Sequence, residues 1–334
     1  MSTAFVFPGQ GAQAVGMGRD LYAASAAARA IFDLADATLG LALTRLCFEG
    51  PEEALTATEN AQPALLTVSA ALLAVLAERW DEGATGRGGE ATITPSPRHP
   101  VTPSHVAGHS LGEYSALVAA GAIDIPTALR LVRRRGELMD EAREGGMAAI
   151  IGLEEEPLEQ ICREASAEAA PVVIANYNSP GQLVISGAGA AVERACALAK
   201  ERGAKRALPL KVSAAFHSPL MRDAVAGLTA ALAQAAILDA RTPVISNVTA
   251  APLIQADAIR GELIAQVTSP VRWIASVRRM AADGVGTFVE IGPGSVLTGL
   301  IKRLAPDARL VNVSDLASAR AFGEHSGVRS RNSE

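Results

Sequence analysis

The chain has 334 residues, which at roughly 150 per domain allows about two domains, or one large domain carrying an inserted lobe. It is 49% hydrophobic, 4% aromatic and 19% charged, so it is not a mainly disordered or fibrous chain. Thirty Lys and Arg against thirty-five Asp and Glu leave a formal charge of −5, the wrong sign for a general nucleic-acid binder.

Three widely spaced cysteines, Cys47, Cys162 and Cys196, suggest neither a disulfide framework nor a Cys-rich zinc site and fit a reducing, cytoplasmic compartment. The N-terminus lacks a basic segment and breaks at Pro8-Gly9, so it does not read as a signal peptide. Residues 4–7 form a short apolar run that predicts a buried strand feeding the Gly-rich loop Gly9-Gln10-Gly11. Helices are expected over 21–39 and 61–79. The apolar stretch 61–77 is interrupted by Gln62, Pro63, Thr67 and Ser69, which points to a buried helix of a soluble protein rather than a membrane span.

From Gly83 to Ser104 the chain carries Gly86, Gly88 and Gly89, then Pro95, Pro97, Pro100 and Pro103, and the expectation for 83–104 is a disordered insertion loop. A strand at Val106-Ala107, a Gly-rich turn, a helix over 113–120 ended by Gly121, and a second helix opened by Pro126 follow. Strands over 148–151, 182–185 and 207–212 with helices over 157–168 and 191–202 predict a small α+β lobe within 144–210. Segments 243–246 and 287–291 supply later strands, and residues 316–334 read as a flexible tail. No internal repeat is found.

The sharpest chemical signal is Gly108-His109-Ser110-Leu111-Gly112, a G-x-S-x-G run between an apolar strand and a helix, the setting a nucleophile elbow requires. Ser110 is the candidate nucleophile, and the N–H of Leu111, at a helix N-terminus, the candidate oxyanion donor. A hydroxyl needs a base to take its proton. Of five histidines, His99 and His105 lie in or beside the Pro-rich loop, His109 in the elbow and His325 in the tail, leaving His217 after a predicted strand as the best candidate. A packed or capping histidine is the alternative. Arg135 shares a helix face with Ala128, Leu131, Leu138 and Ala142. An arginine in an apolar stripe needs an anionic partner, which leaves an internal ion pair, a snorkelling side chain or a bound anion open.

Taken in order over residues 4–313, these segments resemble the malonyl-CoA:acyl carrier protein transacylases and the related acyltransferase domains of polyketide synthases. The resemblance rests on Phe5-Val-Phe-Pro-Gly-Gln-Gly-Ala-Gln13, Gln62-Pro-Ala-Leu65, Gly108-His-Ser-Leu-Gly-Glu-Tyr-Ser-Ala-Leu117, Arg135-Gly136, Asn176-Tyr-Asn-Ser-Pro-Gly-Gln182, Phe216-His217, and the stretch from Gln266 to Trp273. It implies that Ser110 is acylated with His217 as base, that Gln10 and Leu111 form the oxyanion hole, and that Arg135 grips a malonyl carboxylate. Gln266 would orient His217 through its carbonyl, and Phe216 would disfavour an α-methyl group beside the base.

The implied fold is α/β: a larger α/β-hydrolase-like lobe from 1–143 and 211–315 with an inserted smaller ferredoxin-like lobe, 144–210, and the site in the cleft between them. The implied reaction is ping-pong transfer of malonyl from malonyl-CoA to the phosphopantetheine thiol of a holo-acyl carrier protein, with no metal or bound cofactor. A monomer is expected, without nucleic-acid or membrane partners, in fatty-acid synthesis or, alternatively, loading polyketide synthase carriers. An acidic carrier would meet a basic rim, for which Arg194, Lys200, Arg202, Lys205, Arg206 and Lys211 are candidates. An esterase is disfavoured by the missing HGGG-type loop and by Arg135, and a silent acyl-binding or scaffolding module by the joint presence of Ser110, His217, Gln10 and Arg135.

Overall fold

Residues 4–7 are apolar at every position because both faces of their strand are covered, the pattern of an interior strand in a parallel sheet. The computed structural model describes residues 2–84, 102–142, 144–212 and 214–326. Its strands are β1 Ser2–Phe7, β2 His105–Gly108, β3 Gly146–Ile151, β4 Val172–Ser179, β5 Gln182–Gly187, β6 Arg206–Pro209, β7 Val244–Ile245, β8 Pro252–Leu253, β9 Val285–Ile291 and β10 Arg309–Val313. They form a six-stranded sheet, β10-β9-β1-β2-β7-β8, and a four-stranded sheet, β4-β5-β3-β6. The first is parallel except for its edge strand β8, and the second is antiparallel throughout.

Alternate residues of β1 serve different helical layers. Phe5 and Phe7 join a core with Val106, Phe32, Leu65 and Leu129, under helices Ala26–Leu39, Thr58–Ala84 and Ile125–Glu141. Ala4 and Val6 face the other way, with Trp273, Val277 and Leu300 of helices Trp273–Ala282 and Val296–Leu304. The four-stranded sheet has its own core, in which Ala148, Ile150, Ile174 and Ile185 meet Leu158 and Ile161 of helix Glu155–Ala165 and Ala195 of helix Gly189–Glu201. Asp124 caps the Ile125–Glu141 helix by accepting the Thr127 N–H at 2.7 Å, with Pro126 in the first turn.

The stretch Thr58–Glu78 is long and apolar enough to cross a membrane by length and composition, but 78% of its most apolar window is buried inside the protein. The break expected at Gly83 comes later, because the helix runs to Ala84. Order is already present at Ser104, whose N–H donates to Thr3 at 2.8 Å. Between these points, residues 85–101 of the expected insertion, with His99, lie outside the described residues.

The expected loose tail is a correction: Leu316–Ser326 is a helix. Asp315 caps it by accepting the Ser318 N–H at 2.8 Å, the Leu316 N–H donates to Asp20 at 2.7 Å, and Ala319 is buried in the main core with Leu316 and Phe322 packed against it. The Asp-x-x-Ser cap and the apolar spacing 316, 319, 322 were the signals for it. Residues 327–334 of that tail lie outside the described residues.

Candidate active site

In a parallel sheet the loops at the carboxyl ends of the strands gather on one rim, where ligands are received. The loop with Gln10 follows β1, and the Ser110 turn follows β2. Ser110 has φ 51°, a left-handed conformation that costs a non-glycine residue about 1–3 kcal/mol. The turn is squeezed between backbones: a Cβ on Gly112 would stand 2.1 Å from the Phe7 carbonyl oxygen, and one on Gly9 would stand 2.4 Å from that of His109. Asn247 holds the turn, accepting the Ser110 N–H on Oδ1 at 2.7 Å and donating from Nδ2 to the Gly108 carbonyl at 2.7 Å. Among the described residues the Leu111 N–H has no acceptor. Gln10 is exposed beside the elbow, with its Nε2 donating to Thr58 Oγ1 at 3.2 Å.

His217 is 3% exposed, and its Nε2 lies 2.7 Å from Ser110 Oγ. Its Nδ1 faces the carbonyl oxygens of Gln266 at 2.9 Å and Ser269 at 3.1 Å. Two acceptors on one side place the ring proton on Nδ1 and leave Nε2 free to accept from the serine. Burial, and then the positive charge of Arg135, push its pKa down to about 3, so the imidazole is neutral at ordinary pH. The arrangement is a Ser-His dyad oriented by backbone carbonyls instead of a carboxylate.

Arg135 is 2% exposed, yet no carboxylate lies within ion-pair distance of it among the described residues, whereas its neighbours Arg133 and Arg134 both pair with Glu137 on the outer face. Its donors go to neutral groups: Nη1 to Gln62 Oε1 at 2.8 Å, Nη2 to Gln266 Oε1 at 2.9 Å and to Ser110 Oγ at 3.1 Å. Among the described residues Nε has no partner, and the guanidinium carbon lies 5.8 Å from the Tyr114 ring centroid. Burial lowers its pKa, while Tyr114 and Glu113 raise it. Of the alternatives open in the sequence, the internal ion pair and the snorkelling side chain are thereby removed.

Four of the expected residues, Ser110, His217, Arg135 and Gln266, touch one another. Gln266, the last residue of helix Ala256–Gln266, supplies its carbonyl to His217, and its Nε2 donates to the Ser110 carbonyl at 3.1 Å. Phe216 is buried in the main core, beside the site through its peptide link to His217. His109 is turned away, its Nε2 2.8 Å from Asn178 Oδ1 and its ring 5.8 Å from Trp273. His105 faces Asp283 at 3.4 Å.

Sequence reasoning assigned no role to Gln62, Glu113 or Asn247. The first two interrupt apolar helical stretches, which was a usable signal; Asn247 follows a two-residue strand and offered none. Of the proposed basic rim, Arg194 donates to the Ala165 carbonyl and Arg202 pairs with Glu164. Among the described residues no group of three or more His, Cys, Asp or Glu side chains is arranged to hold a metal ion.

The acyl transferase domain family matches residues 4–326. The malonyl CoA-acyl carrier protein transacylase of Bacillus subtilis is 49% identical over 315 residues, 93% of each chain, and that of Escherichia coli K12 is 47% identical over 328 residues, 97% of each. The structure superposes with a TM-score of 0.90 on an acyl-carrier-protein S-malonyltransferase from Bartonella henselae, 42% identical and covering 98% of this chain and 100% of that one. A malonyl-transacylase solved in complex with its type II polyketide synthase acyl-carrier protein is 43% identical, with a TM-score of 0.87 over 97% of this chain and 100% of that one. With an elbow serine, its histidine and a buried arginine set in a chain alike over nearly its whole length, the protein belongs to the malonyl-CoA:acyl carrier protein transacylase family of acyl transferases.

Proposed function

We propose that the protein transfers malonyl from malonyl-CoA to the phosphopantetheine thiol of a holo-acyl carrier protein through a malonyl ester on Ser110. His217 Nε2 takes the Ser110 proton as Oγ attacks the thioester carbonyl. The N–H groups of Leu111 and Gln10 receive the oxyanion. Collapse expels the CoA thiolate, which leaves as a thiol with the proton held on His217. In the second half-reaction the carrier thiol gives its proton to His217 and attacks the ester carbonyl; Ser110 Oγ leaves and recovers a proton from His217. No metal or bound cofactor enters this scheme.

Arg135 holds the malonyl carboxylate, and Phe216 adds bulk beside the base against an α-methyl group. The observation that carries the proposal is the Arg135 guanidinium, buried with no ion-pair partner among the described residues and 3.1 Å from the Ser110 hydroxyl. An esterase for neutral acyl groups has no use for that charge. We read residues 144–210 as a ferredoxin-like lobe, in keeping with the β-α-β-β-α-β order of its elements, inserted into an α/β-hydrolase-like lobe of 1–143 and 211–315. A cytoplasmic setting fits three free cysteines.

Fatty-acid synthesis is the primary reading. Loading of polyketide synthase carriers is a second one, favoured by the likeness to the transacylase solved with its polyketide carrier. The test is intact-mass analysis after exposure to malonyl-CoA, followed by addition of holo-carriers of each pathway. A malonyl adduct that moves to a carrier is expected. An adduct that only hydrolyses, or none at all, would overturn the proposal.

A further inference from the structure

With Ser110 and Arg135 in the roles proposed above, Glu113 is a buried carboxyl group the reaction does not use. It is 1% exposed, at the start of helix Gly112–Ala119. Its Oε1 accepts the Asn247 backbone N–H at 2.9 Å and Asn247 Nδ2 at 3.2 Å, and its Oε2 accepts Gln266 Nε2. Every partner of Glu113 is therefore a donor. Both oxygens act as acceptors, a role the carboxyl fills in either charge state as long as any hydroxyl hydrogen points away from these N–H groups. Burial, and then the nearby Glu262, hold the carboxyl well above the usual carboxylate range, and the Asn247 and Gln266 donors and Arg135 offset this only in part.

Each of the two amides that Glu113 holds passes its orientation on. Asn247, with its donors turned to Glu113 and Gly108, has Oδ1 left to accept the Ser110 N–H. Gln266, with Nε2 turned to Glu113 and to the Ser110 carbonyl, has Oε1 left to accept from Arg135 Nη2 at 2.9 Å. Turned over, either amide would face donor against donor, and Gln266 would point its NH2 at the guanidinium. We infer that Glu113 is a positioning residue for Arg135, acting through the Gln266 carboxamide to aim the guanidinium at Ser110 while Nε, without a partner among the described residues, stays open to an anionic acyl group. A carboxylate in direct contact would also hold the arginine but would occupy the donors the substrate needs. One interposed amide avoids that competition.

The experiment compares wild type, Glu113→Gln and Gln266→Met with two reagents that acylate or sulfonylate Ser110. Malonyl-CoA carries a carboxylate for Arg135; phenylmethylsulfonyl fluoride needs the nucleophile and base but has no charge for the arginine to hold. In both variants the KM for malonyl-CoA is expected to rise by about tenfold, the scale of one lost hydrogen bond to a charged group. Inactivation by the sulfonyl fluoride is expected to change less than the malonyl reaction. Gln266→Met keeps the backbone carbonyl on His217 and sets the effect of a fully cut bridge, and Glu113→Asp, which keeps the carboxyl but draws it back from Gln266, carries the test if Glu113→Gln does not fold. Equal losses with both reagents, or an unchanged malonyl KM, would overturn the inference. Wild type that reacts with the sulfonyl fluoride but not with malonyl-CoA would instead overturn the transacylase reading.

Discussion

The rim of the six-stranded, mostly parallel sheet and the four-stranded antiparallel sheet are built on opposite terms. At the rim the chain bends against its preferences and buries polar groups: Ser110 and His217 have positive φ, and Arg135, His217, Glu113, Asn247 and Gln266 are all buried. In the four-stranded sheet and its helices, the described non-glycine residues keep ordinary backbone, and the core is a set of aliphatic side chains such as Ile150, Leu158 and Ile185. The difference separates the stored strain of a reactive centre from the plain packing that supports it. The first region answers to substitution in rate and the second in stability.

The largest effects should come from the rim. Ser110→Ala is expected to abolish both the malonyl adduct and transfer, and His217→Ala to slow acylation by about 10²–10⁴-fold, while thermal unfolding of both stays close to wild type. Intact mass and rapid-quench kinetics check this, and an adduct that persists on the Ser110→Ala variant would place the nucleophile elsewhere. Next, Arg135→Ala should lose most of its kcat/KM for malonyl-CoA yet gain relative to wild type with acetyl-CoA. A site built for a polar pair can reject the unpaired analogue by about 10⁴-fold, and the obstacle goes with the charge. Equal loss with both thioesters would make Arg135 a structural residue.

In the other region, Ile185→Ala is expected to destabilise the fold by about 2–5 kcal/mol, as emptying a fully buried aliphatic site does, with the acylation rate nearly unchanged below the transition. A large change in rate without loss of stability would erase the contrast. The last expected effect is a pH slope. His217 titrates near 3 in the folded protein against an ordinary 6.5, so between those values the unfolded chain binds a proton that the native one refuses. Stability contributed by the neutral imidazole is complete above about pH 6.5 and falls by about 1.4 kcal/mol per unit on acidification through that window. Chemical denaturation of wild type and His217→Gln from pH 7 to 4 should show the variant losing less, and acylation by wild type should persist toward pH 5.

Short-range chemistry was legible in the amino-acid sequence. The strand over 4–7 announced itself by unbroken apolarity, the elbow by glycines flanking Ser110, and the 125–141 helix by Pro126 and a stripe that already marked Arg135 as misplaced. Elimination among five histidines reached His217, which the fold then brings to Ser110. The Leu316–Ser326 helix carried its cap and spacing, but its face is completed only by docking on the main core.

Tertiary structure alone decided what Arg135 faces. Helical periodicity says that a side chain points inward, but not whether a carboxylate waits there; only the convergence of Gln62, Ser110 and Gln266 from three separate segments showed neutral partners and an unfilled Nε. The same holds for Asn247, 137 residues from the serine whose N–H it accepts. Sequence pattern encodes local geometry and the direction of burial, whereas the electrostatics of a buried site depend on distances between residues remote in the chain, and only the folded packing sets those.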